Sequence, residues 1–139
     1  MVAAVSTAQD ELHRRVGVEL REAFGELVQE APHEPAYFVA LGRIGVRVEV
    51  EAVGSGNALI ETYSWIAQQL TVDERIAAFL VRRNAGMRFS ALCVDGEGAI
   101  ILRQALFPEQ LSKAVLVRLI ELMSTTADTI DQELRERFA

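Results

Sequence analysis

Leu12, Val16, Leu20, Phe24 and Leu27 are spaced by threes and fours, with Ala23 and Val28 beside them. That period predicts one long amphipathic helix over residues 7–31, stopped by Pro32 and Pro35. Tyr37 to Leu41 favours a strand, and Leu41-Gly42-Arg43-Ile44-Gly45 reads as the turn into the next. Ile44, Val46, Val48 and Val50 then alternate with Gly45, Arg47, Glu49 and Glu51, which is the pattern of a half-buried strand. Gly54-Ser55-Gly56-Asn57 turns the chain back into a third strand, Ala58 to Ala67. Its two faces are both partly apolar, with Leu59, Tyr63 and Trp65 on one and Ile60 and Ile66 on the other.

The period returns to that of a helix at Thr71, where Thr71 and Glu74 have the spacing of a capping box. Val72, Ile76, Phe79 and Leu80 fall on one face of this helix, and Gly86 is expected to close it in the left-handed conformation. From Met87 the period is two again, and strands 87–94 and 99–106 are expected to pair across Asp95-Gly96-Glu97-Gly98. Two-residue turns at Asp95-Gly96 or Gly96-Glu97 and a four-residue loop give the same faces. Phe89, Ala91 and Cys93 would join Ile100 and Leu102 on one side. Arg88, Ser90, Leu92 and Val94 would join Ala99, Ile101 and Arg103 on the other.

Pro108 and Glu109 suit the first turn of a last helix, whose stripe runs through Val115, Leu119, Met123, Ala127, Ile130, Leu134 and Phe138. About 30 residues of helix would be about 45 Å long, against roughly 37 Å for the diameter of a compact domain of this size. The helix is therefore expected either to break near Ser124-Thr125-Thr126 or to pack its end on another subunit. The order is α-β-β-β-α-β-β-α, an α+β fold with a single antiparallel sheet packed against helices. It forms one domain over residues 1–139, with 1–6 as a flexible tail. A roadblock-like order, α-β-β-α-β-β-β-α, would need only two strands before the central helix.

Three stretches resemble the YbjN family, whose fold is shared with type III secretion chaperones. They are Arg83-Asn84-Ala85-Gly86 at the end of the second helix, Met87-Arg88-Phe89-Ser90-Ala91-Leu92-Cys93-Val94 leading into Asp95-Gly96-Glu97-Gly98, and Ala127-Asp128 in the last helix. The likeness covers nearly the whole chain. It implies a non-enzymatic domain that binds an extended peptide or a partner chain, commonly as a dimer, and it brings no catalytic residues with it.

Composition narrows the function classes. Half of the 139 residues are hydrophobic, which suits one globular core, and the net charge of −6 disfavours a general binder of nucleic acid. The acidity is concentrated in residues 1–35, where three arginines face seven acids. Cys93 is the single cysteine, so no intramolecular disulfide can form and a cysteine-rich zinc site is ruled out. No signal peptide or membrane span is evident, and a cytoplasmic location is expected.

Candidate chemistry is sparse. Cys93 alternates with Phe89 and Ala91, which argues for a buried structural thiol rather than a nucleophile. His13 and His33 lack the spaced carboxylates of a metal site, and no cofactor is expected. Glu49 and Glu51 share a strand face, where a polar surface is the simpler reading than acid–base chemistry. Arg82, Arg83, Arg88 and Arg103 have either ordinary salt bridges, as with Glu49 or Glu61, or an oxyanion to bind. Trp65, with Tyr63 and Leu59, reads as core or as a peptide-docking patch. The expected partner-binding residues are Arg88, Leu92, Val94, Ile101, Arg103 and Trp65, on the mixed sheet face or beside the edge strand near Tyr37 to Leu41. The second function class is a small-molecule-binding regulator with its pocket between sheet and helices.

Overall fold

Residues 8–54 and 56–139 are described in full by the structure, a computed structural model; the tail expected at 1–6 lies outside them. In chain order the elements are α1 (Val2–Phe24), β1 (Val28–Glu30), β2 (Ala36–Val39), β3 (Val46–Ala52), β4 (Ala58–Ile66), α2 (Glu74–Ala85), β5 (Ala91–Val94), β6 (Ile100–Leu106) and α3 (Lys113–Phe138). The strands form one sheet in the order β1-β2-β3-β4-β6-β5, with every neighbouring pair antiparallel. The fold is α+β as expected, with one strand more than the periodicity shows.

That extra strand comes out of the predicted first helix. Gly25 has φ +56°, a conformation that glycine takes without steric cost, and a 3-10 turn over Gly25–Leu27 diverts the chain into β1. Leu27 continues the helical spacing but is 42% exposed, so spacing alone carried the helix too far. β1 pairs with β2 from Val28–Val39 to Glu30–Tyr37, and α1 ties it down through Glu30, which meets His13 at 2.8 Å and Arg21 at 2.9 Å.

α1 and α3 pack on one face of the sheet. Leu12, Val16 and Leu20 of α1 and Leu116, Ile120, Met123, Ile130 and Leu134 of α3 bury against Val46, Val48, Val50, Ile60, Ile66 and Leu102. Thr62 and Ser64 also point into this layer. Their hydroxyls donate to the Gln104 and Gly45 carbonyls at 2.9 and 2.8 Å, so neither is left without a partner. At Gly17 the helix backbone comes so close to Tyr37 that an added Cβ would stand 2.6 Å from Tyr37 Cζ.

The helix ends differ from expectation in detail. Asp73, not Thr71, caps α2, its carboxylate accepting from the Ile76 N–H at 2.9 Å, while Val72 packs on the core. Gly86 has φ −95° and ψ −2°, which is right-handed; the helix closes through the Gly86 and Met87 N–H groups donating to the Arg83 and Asn84 carbonyls. Pro108 opens only a 3-10 turn, and α3 starts at Lys113 under Ser112, whose hydroxyl accepts from the Val115 N–H. α3 runs unbroken through Ser124–Thr126 for 26 residues, about 39 Å. Its end does not project. Phe138 meets Phe79 of α2 edge-on, ring centroids 5.8 Å apart, so the same chain covers it and neither a break nor a second subunit is required.

α3 also pins two turns. Asp128 accepts from the Arg43 and Ile44 N–H groups in the β2–β3 turn, at 3.1 and 3.2 Å. Asp131, 4% exposed, accepts from the Ala67 N–H at 2.7 Å and pairs with Arg43 at 3.1 Å and Arg135 at 2.7 Å. Ala67 has φ +48°, unusual for a residue with a Cβ, and the Asp131 bond holds it there.

Candidate partner-binding surface

The β5–β6 hairpin decides which side chains share the sheet face opposite the helices. Its register is Val94–Ile100, Cys93–Ile101, Leu92–Leu102 and Ala91–Arg103, so the connecting loop is Asp95–Ala99, an odd number of residues. Asp95 builds that loop: its Oδ1 accepts from the N–H groups of Glu97 and Ala99, both at 2.9 Å, and its own N–H donates to the Ala99 carbonyl. An odd loop reverses the pairing of faces relative to every loop considered from sequence. Leu92 and Val94 therefore lie with Ile100 and Leu102 on the helix side, and Ala91 and Cys93 lie with Ile101 and Arg103 on the other.

The six residues expected to bind a partner thus separate. Trp65, Ile101 and Arg103 come together on the face away from the helices. Leu92 is 5% exposed in the core, Val94 sits on the helix side at the sheet edge, and Arg88 lies in the segment before β5, which spans only Ala91–Val94 rather than 87–94. Cys93 is half-buried across from Ile101 on the open face instead of in the core. The split of β4 is as predicted, with Leu59, Tyr63 and Trp65 opposite Ile60 and Ile66.

On the open face the strands line up as rows. One row runs Trp65–Ile101–Cys93, the next Phe38–Arg47–Tyr63–Arg103–Ala91, and the next Ala36–Glu49–Glu61–Ala105. Tyr63 and Trp65 are neighbouring tilted rings with centroids 5.7 Å apart. Arg103 lies over the Tyr63 ring at 5.6 Å and donates from Nη2 to Glu61 Oε1 at 2.7 Å, while the Tyr63 hydroxyl donates to Glu61 Oε2. Arg47 donates to Glu49 at 2.8 Å and also pairs with Glu34. The arginines of this face therefore have salt bridges of the ordinary kind.

Glu61, 7% exposed, is the centre of this network. Its burial favours the neutral acid, but hydrogen bonds from Glu51, Tyr63 and Arg103 outweigh that and hold its carboxyl below the usual range. The consequence falls on its neighbours. Glu51 is pushed up to about 7, first by its hydrogen bond to Glu61, then by burial and by the negative charges of Glu61 and Glu49. The Tyr63 phenol is pushed up by burial and then by Glu61. Arg103 pairs directly with Glu61 and acts on Glu51 only as the last and smallest influence, so the proton is favoured on Glu51.

Along the open face of β4 the order is Trp65, Tyr63, Glu61 and Leu59, and the Leu59 end gives onto an open cleft of about 570 Å³, where Leu12 and Arg15 of α1 face Val53 and Phe107. Phe107 is 62% exposed and Val53 39%. Neither was singled out from sequence. Phe107 falls at the junction of a strand and a helix, where neither period applies, and the only signal was a large apolar residue directly before Pro108. At the other end of β4, Trp65 borders a smaller cleft of about 340 Å³ with Arg43, Asp131 and Arg135.

Comparison with known proteins bears on the fold and the family. The crystal structure of YbjN from E. coli, described as a candidate transcription regulator, superposes with a TM-score of 0.67 over 90% of this chain and 92% of that one, at 11% identity, a likeness of fold. No curated protein matches the sequence. The family described as T3SS (YopN, CesT) and YbjN peptide-binding chaperone 1 matches residues 10–139. With nearly the whole chain matched and the fold shared, this protein belongs to that family of peptide-binding chaperones.

Proposed function

We propose that this chain is a non-enzymatic, chaperone-like domain that takes an extended peptide segment along the open face of β4. The observation that carries the reading is that Trp65, Tyr63 and Leu59, all half-buried, share the sheet face opposite the helices, and that Leu59 opens into the Phe107–Val53 cleft, whose other wall is α1. The nine residues of β4 span about 30 Å, enough for a peptide of similar length. Side chains of such a peptide would bury against the half-buried Trp65, Tyr63 and Leu59, under which Ile101 is already only 7% exposed, while Arg103 and the Glu51–Glu61 pair orient it. The same reading makes the protein cytoplasmic and homodimeric; Val18, Val115 and Leu122, exposed on the outer side of the helices, are the apolar positions available for self-association. No helix among the described residues is long and apolar enough to cross a membrane. At the centre of the layer between sheet and helices Leu20, Ile60, Leu102, Met123 and Ile130 fill the space, so a small-molecule site there is the weaker reading.

Trp65 is the only tryptophan, so its emission reports on the surface directly. Peptides selected from a random display library on the full chain are expected to shift that emission and to bind at least about tenfold more weakly to Leu59→Asp. Selected peptides whose affinity is unchanged by both Leu59→Asp and Trp65→Ala, in folded protein, would refute the assignment.

A further inference from the structure

A second cleft, of about 460 Å³, opens between the first two turns of α2 and the end of α3, away from the open sheet face. Arg75 and Arg82 line it from α2 and Arg137 from α3. Two of these guanidinium groups lie over aromatic rings: Arg75 Cζ is 5.3 Å from the Phe138 centroid and Arg137 Cζ 5.3 Å from that of Phe79. Phe79 and Phe138 are themselves packed edge-on, so the four side chains form an interlocked pair of cation–ring contacts.

The neighbouring arginines on the same helices are neutralised, Arg83 by Glu133 at 3.0 Å and Arg135 by Asp131 at 2.7 Å. Among the described residues, Arg75, Arg82 and Arg137 have no such carboxylate. Glu74 is the one acid in the lining, and it leaves a surplus of positive charge in a protein whose net charge is −6. A guanidinium that meets a ring instead of a carboxylate still has N–H donors for an oxyanion. One carboxylate fills one such fork, whereas three arginines lining one cleft suit several phosphate oxygens at once. The volume lies within the range of small-ligand sites.

We propose that this cleft binds a small molecule carrying a pyrophosphate group. Arg82, which the sequence grouped with Arg83, Arg88 and Arg103 as possible oxyanion ligands, is the member of that group that reaches it; Arg75 and Arg137 are the partners the fold supplies.

The test is amide chemical-shift titration of the full chain with inorganic pyrophosphate, orthophosphate and adenosine diphosphate. Saturable shifts at residues 74–82 and 137–138 are expected, with pyrophosphate at least about tenfold tighter than orthophosphate. Equal affinity for pyrophosphate and adenosine diphosphate would assign recognition to the phosphates alone, and tighter binding of the nucleotide would add its nucleoside; both support the site. Arg82→Ala and Arg137→Ala are each expected to weaken pyrophosphate binding about tenfold or more, and Arg82→Lys less than Arg82→Ala. Arg118→Ala, an exposed arginine of α3 outside the cleft, is expected to leave it unchanged. Unsaturable shifts, no preference over orthophosphate, or equal losses in Arg118→Ala and Arg82→Ala would overturn the proposal. Peptide binding read by Trp65 emission is independent of all these outcomes.

Discussion

The side-chain amide of Asn84 closes a two-bond ring with the backbone of Leu92, its Nδ2 donating to the Leu92 carbonyl at 2.8 Å and its Oδ1 accepting the Leu92 N–H at 2.7 Å. Leu92 faces Leu102 at a position of the ladder whose own backbone groups point outward, so the last residue but one of α2 occupies the middle of the β5 edge. An unpaired edge is a template for another strand, and here a side chain fills it. Strand addition at β5 is thereby obstructed, and β1 is the other edge of the sheet.

Asn84→Ala removes both bonds at once and leaves two part-buried backbone groups to water. A loss of about 1–3 kcal/mol in unfolding free energy is expected by urea denaturation. Faster amide exchange at Leu92 than at Leu102 would locate the effect. Asn84→Asp should also destabilise, because a carboxylate can accept from the Leu92 N–H but repels its carbonyl.

Glu51 gives the protein a pH dependence of definite sign. Its folded value of about 7 lies above the ordinary 4.5, so the native state binds the proton more tightly than the unfolded chain. Its contribution to stability is complete below the unfolded value and is lost as the pH rises through about 7. Glu61, held below its ordinary value, contributes in the opposite sense, and its contribution is lost as the pH falls below 4.5. Glu51→Gln is therefore expected to lose less stability than the parent between about pH 5 and about pH 8 in chemical denaturation.

Leu92 and Trp65, grouped together by sequence, should behave as opposites. Leu92→Ala empties a core position and is expected to cost about 2–4 kcal/mol while leaving the affinity of folded protein for its peptides within about twofold. Trp65→Ala, at a half-buried surface site, is expected to cost less stability and to weaken peptide binding by about tenfold or more. Denaturation curves and peptide titrations on the two variants make the comparison.

Gly17→Ala tests how closely α1 approaches the sheet. In an exposed helix the change would stabilise by about 1 kcal/mol. Here the new methyl would displace the Tyr37 ring and its hydroxyl, which donates to the His13 carbonyl at 2.9 Å. Overpacking costs about 1–3 kcal/mol and the hydrogen bond about 1 more, so net destabilisation is expected by thermal melting.

Asp131→Ala leaves Arg43, Arg135 and the Ala67 N–H without their shared acceptor. A cost of about 2–3 kcal/mol is expected. Asp131→Asn, which can still accept from Ala67, should cost less. Urea midpoints of the two variants distinguish the backbone bond from the ion pairs.

Alternation made β3 and both faces of β4 legible, because Val46, Val48 and Val50 have a single way to be buried together. The family resemblance rested on residues that the structure puts to structural use: Asn84 on the β5 edge, Asp95 in the hairpin loop, Asp128 on the β2–β3 turn. What misled was parity and exposure. Three even-spaced loops agreed on the faces of the hairpin, but Asp95 builds an odd one, and Leu92 changed sides with it. Leu27 kept the helical spacing past Gly25 although no core lay beneath it. The Phe107–Val53 cleft was invisible because its walls come from three elements far apart in sequence, brought together only at the end of the sheet.

The neighbours β4 and β6 are separated along the chain by all of α2 and β5. Strands β1 to β4 can zip together in sequence, each next to the one before, while β5 and β6 form their own hairpin. The seam joining the two pieces has to wait for the longer loop to close, so it is expected to be the slow step in assembling the sheet. Until it closes, the Tyr63–Arg103 and Trp65–Ile101 rows do not exist, and the surface proposed for a peptide is missing from the nascent chain.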